Sequence, residues 1–287
     1  MRPNGSIRWP VLAVALAVPL VAVACASSGD GDEAADTGST DPSTDADASA
    51  DDPEVAAASE ALVGRWAHFD VVAYEDDVLR TLIVSTGFAD LELREDGRLW
   101  NQMVFCHADV VNEPGIEVSI SDAATGAILP IATPVEVTVT DGRVRVRRPP
   151  TPTAIGIRLE DPANEALPTD PDDPRIFDAD GDGNPGVTSQ VTFGDTSAEI
   201  YLARREIFSY DLVEQTPDRL VGSVTDRSEQ LVIGASDPTM NAPVNWTQLD
   251  DPSRNPVIWQ RVDPSWDCDR LAAERDTLFP PNPTIDF

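Results

Sequence analysis

The chain has 287 residues, 51 acidic and 20 basic, and a formal net charge of -31. That balance excludes a nucleic-acid reader, which needs a basic face for phosphate, and disfavours docking on anionic lipid headgroups. All the basic residues are arginine, and the length allows one large domain or two small ones.

The first segment is an export signal. Arg2 and Arg8 precede the apolar run 9–24, WPVLAVALAVPLVAVA, which has the length of a signal core and is short for a membrane span. Ala22-Val23-Ala24 then predicts cleavage before Cys25. Small residues ahead of a cysteine resemble the lipoprotein box of bacteria, with Ala22 standing where that box usually has leucine. The resemblance implies a signal peptide over 1–24, a lipid on Cys25, and anchoring of the exported chain to the bacterial cell membrane. Residues 26–54 carry ten acids and no base. Their apolar residues are almost all alanine, too little to offset the entropy of ordering, so 25–58 is expected to be a disordered acidic linker.

From about residue 59 to 287 the texture is all-β. VGRWAHFDVVAY (63–74) is rich in β-branched and aromatic residues, after a short helical stretch at 55–62. FADLELREDGRLWNQMVF (88–105) turns at Asp96-Gly97. In VEVTVTDGRVRVRR (135–148) a two-residue Asp141-Gly142 turn would pair Thr140 with Arg143 and Glu136 with Arg147, with the valines on the core face. The row Arg143, Arg145, Arg147 is read as a solvated strand face. Residues 159–177 hold four prolines and read as a surface loop. VTSQVTF (187–193) and AEIYLARRE (198–206) flank a Gly194-Asp195 turn. DRLVGSVTDRSEQLVIGAS (218–236) reads as a hairpin about Asp226-Arg227. PVIWQRV (256–262) is a last strand, and 267–276 a short C-terminal helix. About eleven strands predict a single antiparallel barrel or sandwich. Gly64-Arg65-Trp66 resembles the G-x-W of lipocalin-like barrels, where the tryptophan plugs one end and the interior carries an apolar ligand.

Residues 178–189 read DADGDGNPGVTS. Carboxylates at alternate positions with a glycine after the third resemble the EF-hand-type calcium loop: Asp178, Asp180 and Asp182 as ligands, Gly183 for the turn, the carbonyl of Asn184 as a further ligand. The pattern departs at Pro185 and at Ser189, where that loop has its glutamate. The loop also resembles the acidic turns of calcium-binding β-propeller repeats, here present once. Missing ligands would come from water or from Asp172, Asp173 or Asp195. FDADGDGNPGVT and the later QLVIGAS also look like a group of exported bacterial lipoproteins, a likeness that implies no activity.

With Cys25 lipidated, Cys106 and Cys268 remain as an even pair in an exported protein and are expected to form a disulfide, the alternative being two buried thiols. The sequence holds no nucleophile elbow, zinc-binding helix or phosphate loop. Its two histidines are His68, sharing a strand face with Trp66 and Asp70, and His107, a strand-end residue. These readings converge on a non-enzymatic cell-envelope lipoprotein. Its β-domain would sit outside the cytoplasm, hold one structural calcium, and meet the membrane through its lipid. A small apolar ligand or an envelope protein is the expected kind of partner. The alternatives are a lipocalin-like carrier of a small apolar ligand and a hydrolase working through paired carboxylates.

Overall fold

A computed structural model describes residues 52–76, 79–113, 115–129, 131–241 and 246–286. The expected signal, Cys25 and most of the acidic linker lie outside these residues. The fold starts inside the stretch assigned to the linker: Asp52 accepts from the backbone N–H of Glu54 and caps helix α1 (Pro53–Leu62). Val55, Ala58 and Leu62 pack on the main core, which is why this end of an otherwise polar run is ordered.

The strands follow as β1 (Gly64–Glu75), β2 (Arg80–Leu93), β3 (Leu99–Asn112), β4 (Ile116–Ile120), then helix α2 (Asp122–Gly126), β5 (Thr133–Pro134), β6 (Glu136–Thr140) and β7 (Arg143–Ile155). After the proline-rich loop come β8 (Val187–Phe193), β9 (Thr196–Thr216), β10 (Arg219–Asp226), β11 (Glu229–Ala235), β12 (Thr247–Gln248), β13 (Pro256–Val262) and helix α3 (Cys268–Leu278). These thirteen strands of the described residues form one antiparallel sheet. The path β10-β13-β1-β2-β3-β4-β8-β9 returns to β10, which pairs with both β13 and β9. The ladder is therefore a closed barrel, with β5, β6, β7, β11 and β12 as side branches.

The β6–β7 hairpin has the expected register, Thr140 opposite Arg143 through Glu136 opposite Arg147. Its turn residues sit at φ 53° (Asp141) and 71° (Gly142), as a type I′ turn requires. The arginine row is the expected solvent-exposed face, and two of its members pair across to β9. Arg145 donates to Asp211 of β9 at 2.6 Å, and Arg147 donates to the same carboxylate at 3.4 Å. One expectation fails: β10 and β11 do not pair with each other. Both run along β9, β10 beside its second half and β11 beside its first. At the junction the Arg227 N–H donates to the Ile207 carbonyl and the Ile207 N–H donates to the Ser228 hydroxyl. Residues 226–228 thus stay tied to β9 as a jog rather than reversing the chain.

Strand β1 is buried on both faces, which explains its nearly unbroken apolar run. Trp66, Val72 and Tyr74 point into the barrel with Leu91, Leu99, Leu212, Leu220 and Trp259. Ala67, Phe69 and Val71 point outward and are covered by Leu271 of α3 and by Phe279. The Trp66 indole N–H donates to the Leu62 carbonyl at 3.0 Å, closing one end of the barrel against α1. Cys106 and Cys268 are bonded, with Cα atoms 5.4 Å apart. The β2–β3 register shifts between Thr86 and Gly87, leaving Cys106 as the extra residue of a bulge, and the link holds α3 on the outer face.

Candidate functional site

The aspartate loop is clamped at its base. The Phe177 N–H donates to the Gly156 carbonyl (3.1 Å), Gly186 to Phe177 (2.9 Å) and Ala179 to Gly186 (2.9 Å). Gly186 has φ +84°, and a Cβ there would lie 2.2 Å from the Leu202 carbonyl oxygen of β9. Only glycine lets the loop seat so closely. Within it, Asp178 accepts from the N–H groups of Gly181 (2.7 Å) and Gly183 (2.9 Å), both glycines at positive φ. Asp180 accepts from the Thr188 N–H through Oδ2 (2.9 Å), and its Oδ1 is shielded from solvent with no hydrogen-bond partner. Asp182 accepts from the Asn184 N–H (2.8 Å) and side-chain amide (3.1 Å).

One oxygen from each of Asp178, Asp180 and Asp182 lies within 4.8 Å of the others. Two oxygens bound to one ion at 2.3–2.6 Å stand at most about 5 Å apart, so this group could hold a metal ion. The Asp180 carboxyl titrates above its ordinary value, first because burial penalises its charge, and further because Asp182 and Asp178 repel it; the Thr188 N–H opposes. The expected helpers are placed differently. Asp173 is engaged by Arg175 at 2.9 Å, and Asp172 and Asp195 do not join the aspartate group. Glu199 of β9 is also outside that group; it reaches the loop at Asn184, 3.5 Å from its side-chain amide, and accepts from Tyr201 (3.0 Å). The β8–β9 turn fixes it opposite Gln190, so the hairpin register was the signal that could have found it.

His68 shares the inward face with Trp66 and Asp70, and its Nδ1 is 2.8 Å from the Asp70 carboxylate. Its Nε2 has no hydrogen-bond partner and faces Gly87, where a Cβ would come within 2.6 Å. His107 is not at a strand end. It sits inside β3 beside the bulge, between Asp122 (2.8 Å) and Asp109 (3.1 Å).

A further polar group was invisible among 51 acids. Tyr74 bonds Asp226, Asp226 bonds Ser228, the Ser228 hydroxyl donates to Glu206 at 3.1 Å, and Arg204 pairs with Glu206 at 2.9 Å. Burial raises the Glu206 carboxyl above its usual range, Arg204 pulling the other way. Tyr74, Arg204, Asp226, Ser228 and Trp246 line a mouth pocket of about 240 Å³. Beneath it an apolar cavity of about 80 Å³ lies among Val72, Ile83, Phe105, Leu202 and Phe208. Among the described residues no helix is long and apolar enough to cross a membrane. No family model, curated protein or solved structure matches this chain.

Proposed function

We propose that the chain is an exported cell-envelope lipoprotein, tethered through Cys25. Its β-barrel is non-enzymatic and is braced by one structural calcium ion at Asp178, Asp180 and Asp182. The observation that carries the calcium reading is the shielded, partnerless Oδ1 of Asp180, on a carboxylate that brings one oxygen within 4.8 Å of an oxygen of Asp178 and an oxygen of Asp182. A buried carboxylate oxygen without a donor is costly, and a divalent cation with hard oxygen preference removes both that cost and the repulsion. The inner cavity of about 80 Å³ has room for two or three waters, far below the usual size of a ligand pocket, which supports a scaffold over an apolar carrier. Glu206 and Asp226 are each committed to buried hydrogen bonds, which supports a structural role for them.

Isothermal titration and thermal unfolding of the full chain, stripped with chelator and then given calcium or magnesium, test the metal. A site with Kd near 10⁻⁴–10⁻³ M is expected, and calcium at roughly ten times Kd adds about 1.4 kcal/mol. Asp180→Asn keeps the Thr188 bond, removes one repelling charge, and should lose the calcium-induced shift while melting no lower without metal. An unchanged shift in that variant, or none in the parent chain, refutes the site. The tether is read from the mass of the protein extracted from its own membrane, where an unmodified Cys25 would refute it.

A further inference from the structure

Strand β7 carries the run Arg147-Arg148-Pro149-Pro150. Neither proline has an N–H to give to β9, and the β7–β9 register shifts between Arg148 and Thr151. Beside this interruption lies a cavity of about 480 Å³, within the range of small-molecule sites. Its lining includes Ser59 of α1, Arg98 from the β2–β3 turn, Arg147 and Arg148 of β7, and Tyr210 of β9. Two carboxylates also line it, Glu136 and Asp211.

Arg148 is the unusual member. It is 7% exposed, its Nη1 donates to the Phe208 carbonyl at 2.9 Å, and its Nε is shielded from solvent with no acceptor. Among the described residues no carboxylate forms an ion pair with it, although Arg145 and Arg147 on the same strand both pair with Asp211. Asp70, the buried acid whose field reaches it, is already committed to His68 at 2.8 Å. Tyr210 lies against the guanidinium, 5.6 Å from carbon to ring centre; it is 2% exposed, and its hydroxyl has no partner. Burial lowers the Arg148 pKa, with Tyr210 and Asp70 opposing. Arg98, at the rim, has no ion-pair partner among the described residues. An unpaired buried cation is costly, and it is retained here at the wall of a cavity of ligand size. Three guanidiniums against two carboxylates also invert the balance of a chain with 51 acids and 20 bases.

We propose that this cavity binds a small organic oxyanion, its carboxylate or phosphate group held by Arg148 and drawn in past Arg98. A guanidinium at the wall suits an oxyanion, and Val135, Val137 and Pro149 in the lining suit a carbon portion. The test is thermal unfolding and isothermal titration of the full chain with citrate, acetate and inorganic phosphate, each against sodium chloride of equal ionic strength. A saturable rise in melting temperature with citrate or acetate identifies a carboxylate site, and one with phosphate alone a phosphate site. Arg148→Met should melt no lower than the parent, since it replaces an unpaired buried charge with an apolar chain, and should lose the anion-induced shift. Arg98→Gln, at an exposed position, should bind roughly tenfold more weakly, the worth of one charge-assisted hydrogen bond. The proposal is overturned if none of the three anions exceeds the chloride control, if the shift survives Arg148→Met, or if Arg98→Gln binds as the parent does.

Discussion

Replacing both bridged cysteines, as Cys106→Ser with Cys268→Ser, separates what the covalent link does from what packing does. The two residues are 162 apart in sequence. Closing a loop of that length removes about 17 cal/mol/K of unfolded-state entropy, or about 5 kcal/mol at 25 °C. A domain of this size has an unfolding entropy of about 0.5 kcal/mol/K near 60 °C, so the double variant should melt about 10 °C lower. The link is not what docks α3. Leu271 and Phe279 are buried against Phe69, Val84 and Phe88, and each burial contributes roughly 1.5–3 kcal/mol. The helix should therefore stay docked at 25 °C in the variant, with its amide protection lowered but present. Calorimetry reads the first number and hydrogen exchange of residues 268–278 the second. A drop below about 3 °C would refute the loop-closure reasoning. Exchange of α3 at the rate of a free peptide would refute the packing argument.

Two further outcomes concern the aspartate loop. Gly186→Ala puts a methyl 2.2 Å from the Leu202 oxygen at φ +84° and should cost more than about 3 kcal/mol in urea unfolding, whereas Gly181→Ala, at φ +76° with open space around it, should cost roughly 1–2 kcal/mol. Equal effects would mean that the loop base is not a close fit. Without metal, the raised Asp180 pKa means that the folded chain binds its proton more tightly than the unfolded chain. Its contribution to stability is then complete below the ordinary aspartate range and is lost as pH rises through the folded value. The difference in urea midpoint between the parent and Asp180→Asn should shrink accordingly as the buffer is taken from neutral pH toward pH 4, and a difference independent of pH refutes this.

The parts of the fold legible in the sequence are those set by local chemistry. An Asp-Gly pair between valine-alternating arms dictates a type I′ turn, and with it the whole β6–β7 register. The bridge followed from counting cysteines. The aspartate trio followed from alternate spacing on a glycine-bearing loop, because three neighbouring positions on a tight loop have nowhere else to go. What depends on distant partners was not legible. Asp226 to Ser228 reads as a turn, and only the N–H and carbonyl of Ile207 make it a jog along β9. The two-residue strands β5 and β12 carry no periodicity to read. The alternation of β7 puts Arg148 on the valine face, but that it stays buried there without a carboxylate partner depends on distant residues and was not legible.

The closed ladder has a consequence for the order of events in making this protein. Arg65 pairs with Val262, so the first strand finds one of its two neighbours almost two hundred residues later. A chain made N-terminus first must hold β1, with its two apolar faces, until β13 has followed. Contacts of such long sequence separation are slow to form, and unpaired apolar strands are prone to aggregate while they wait. Before closure β1 has only the local hairpin partner β2, and α3, which covers its outer face, arrives last of all. The barrel therefore closes only once nearly the whole chain is available.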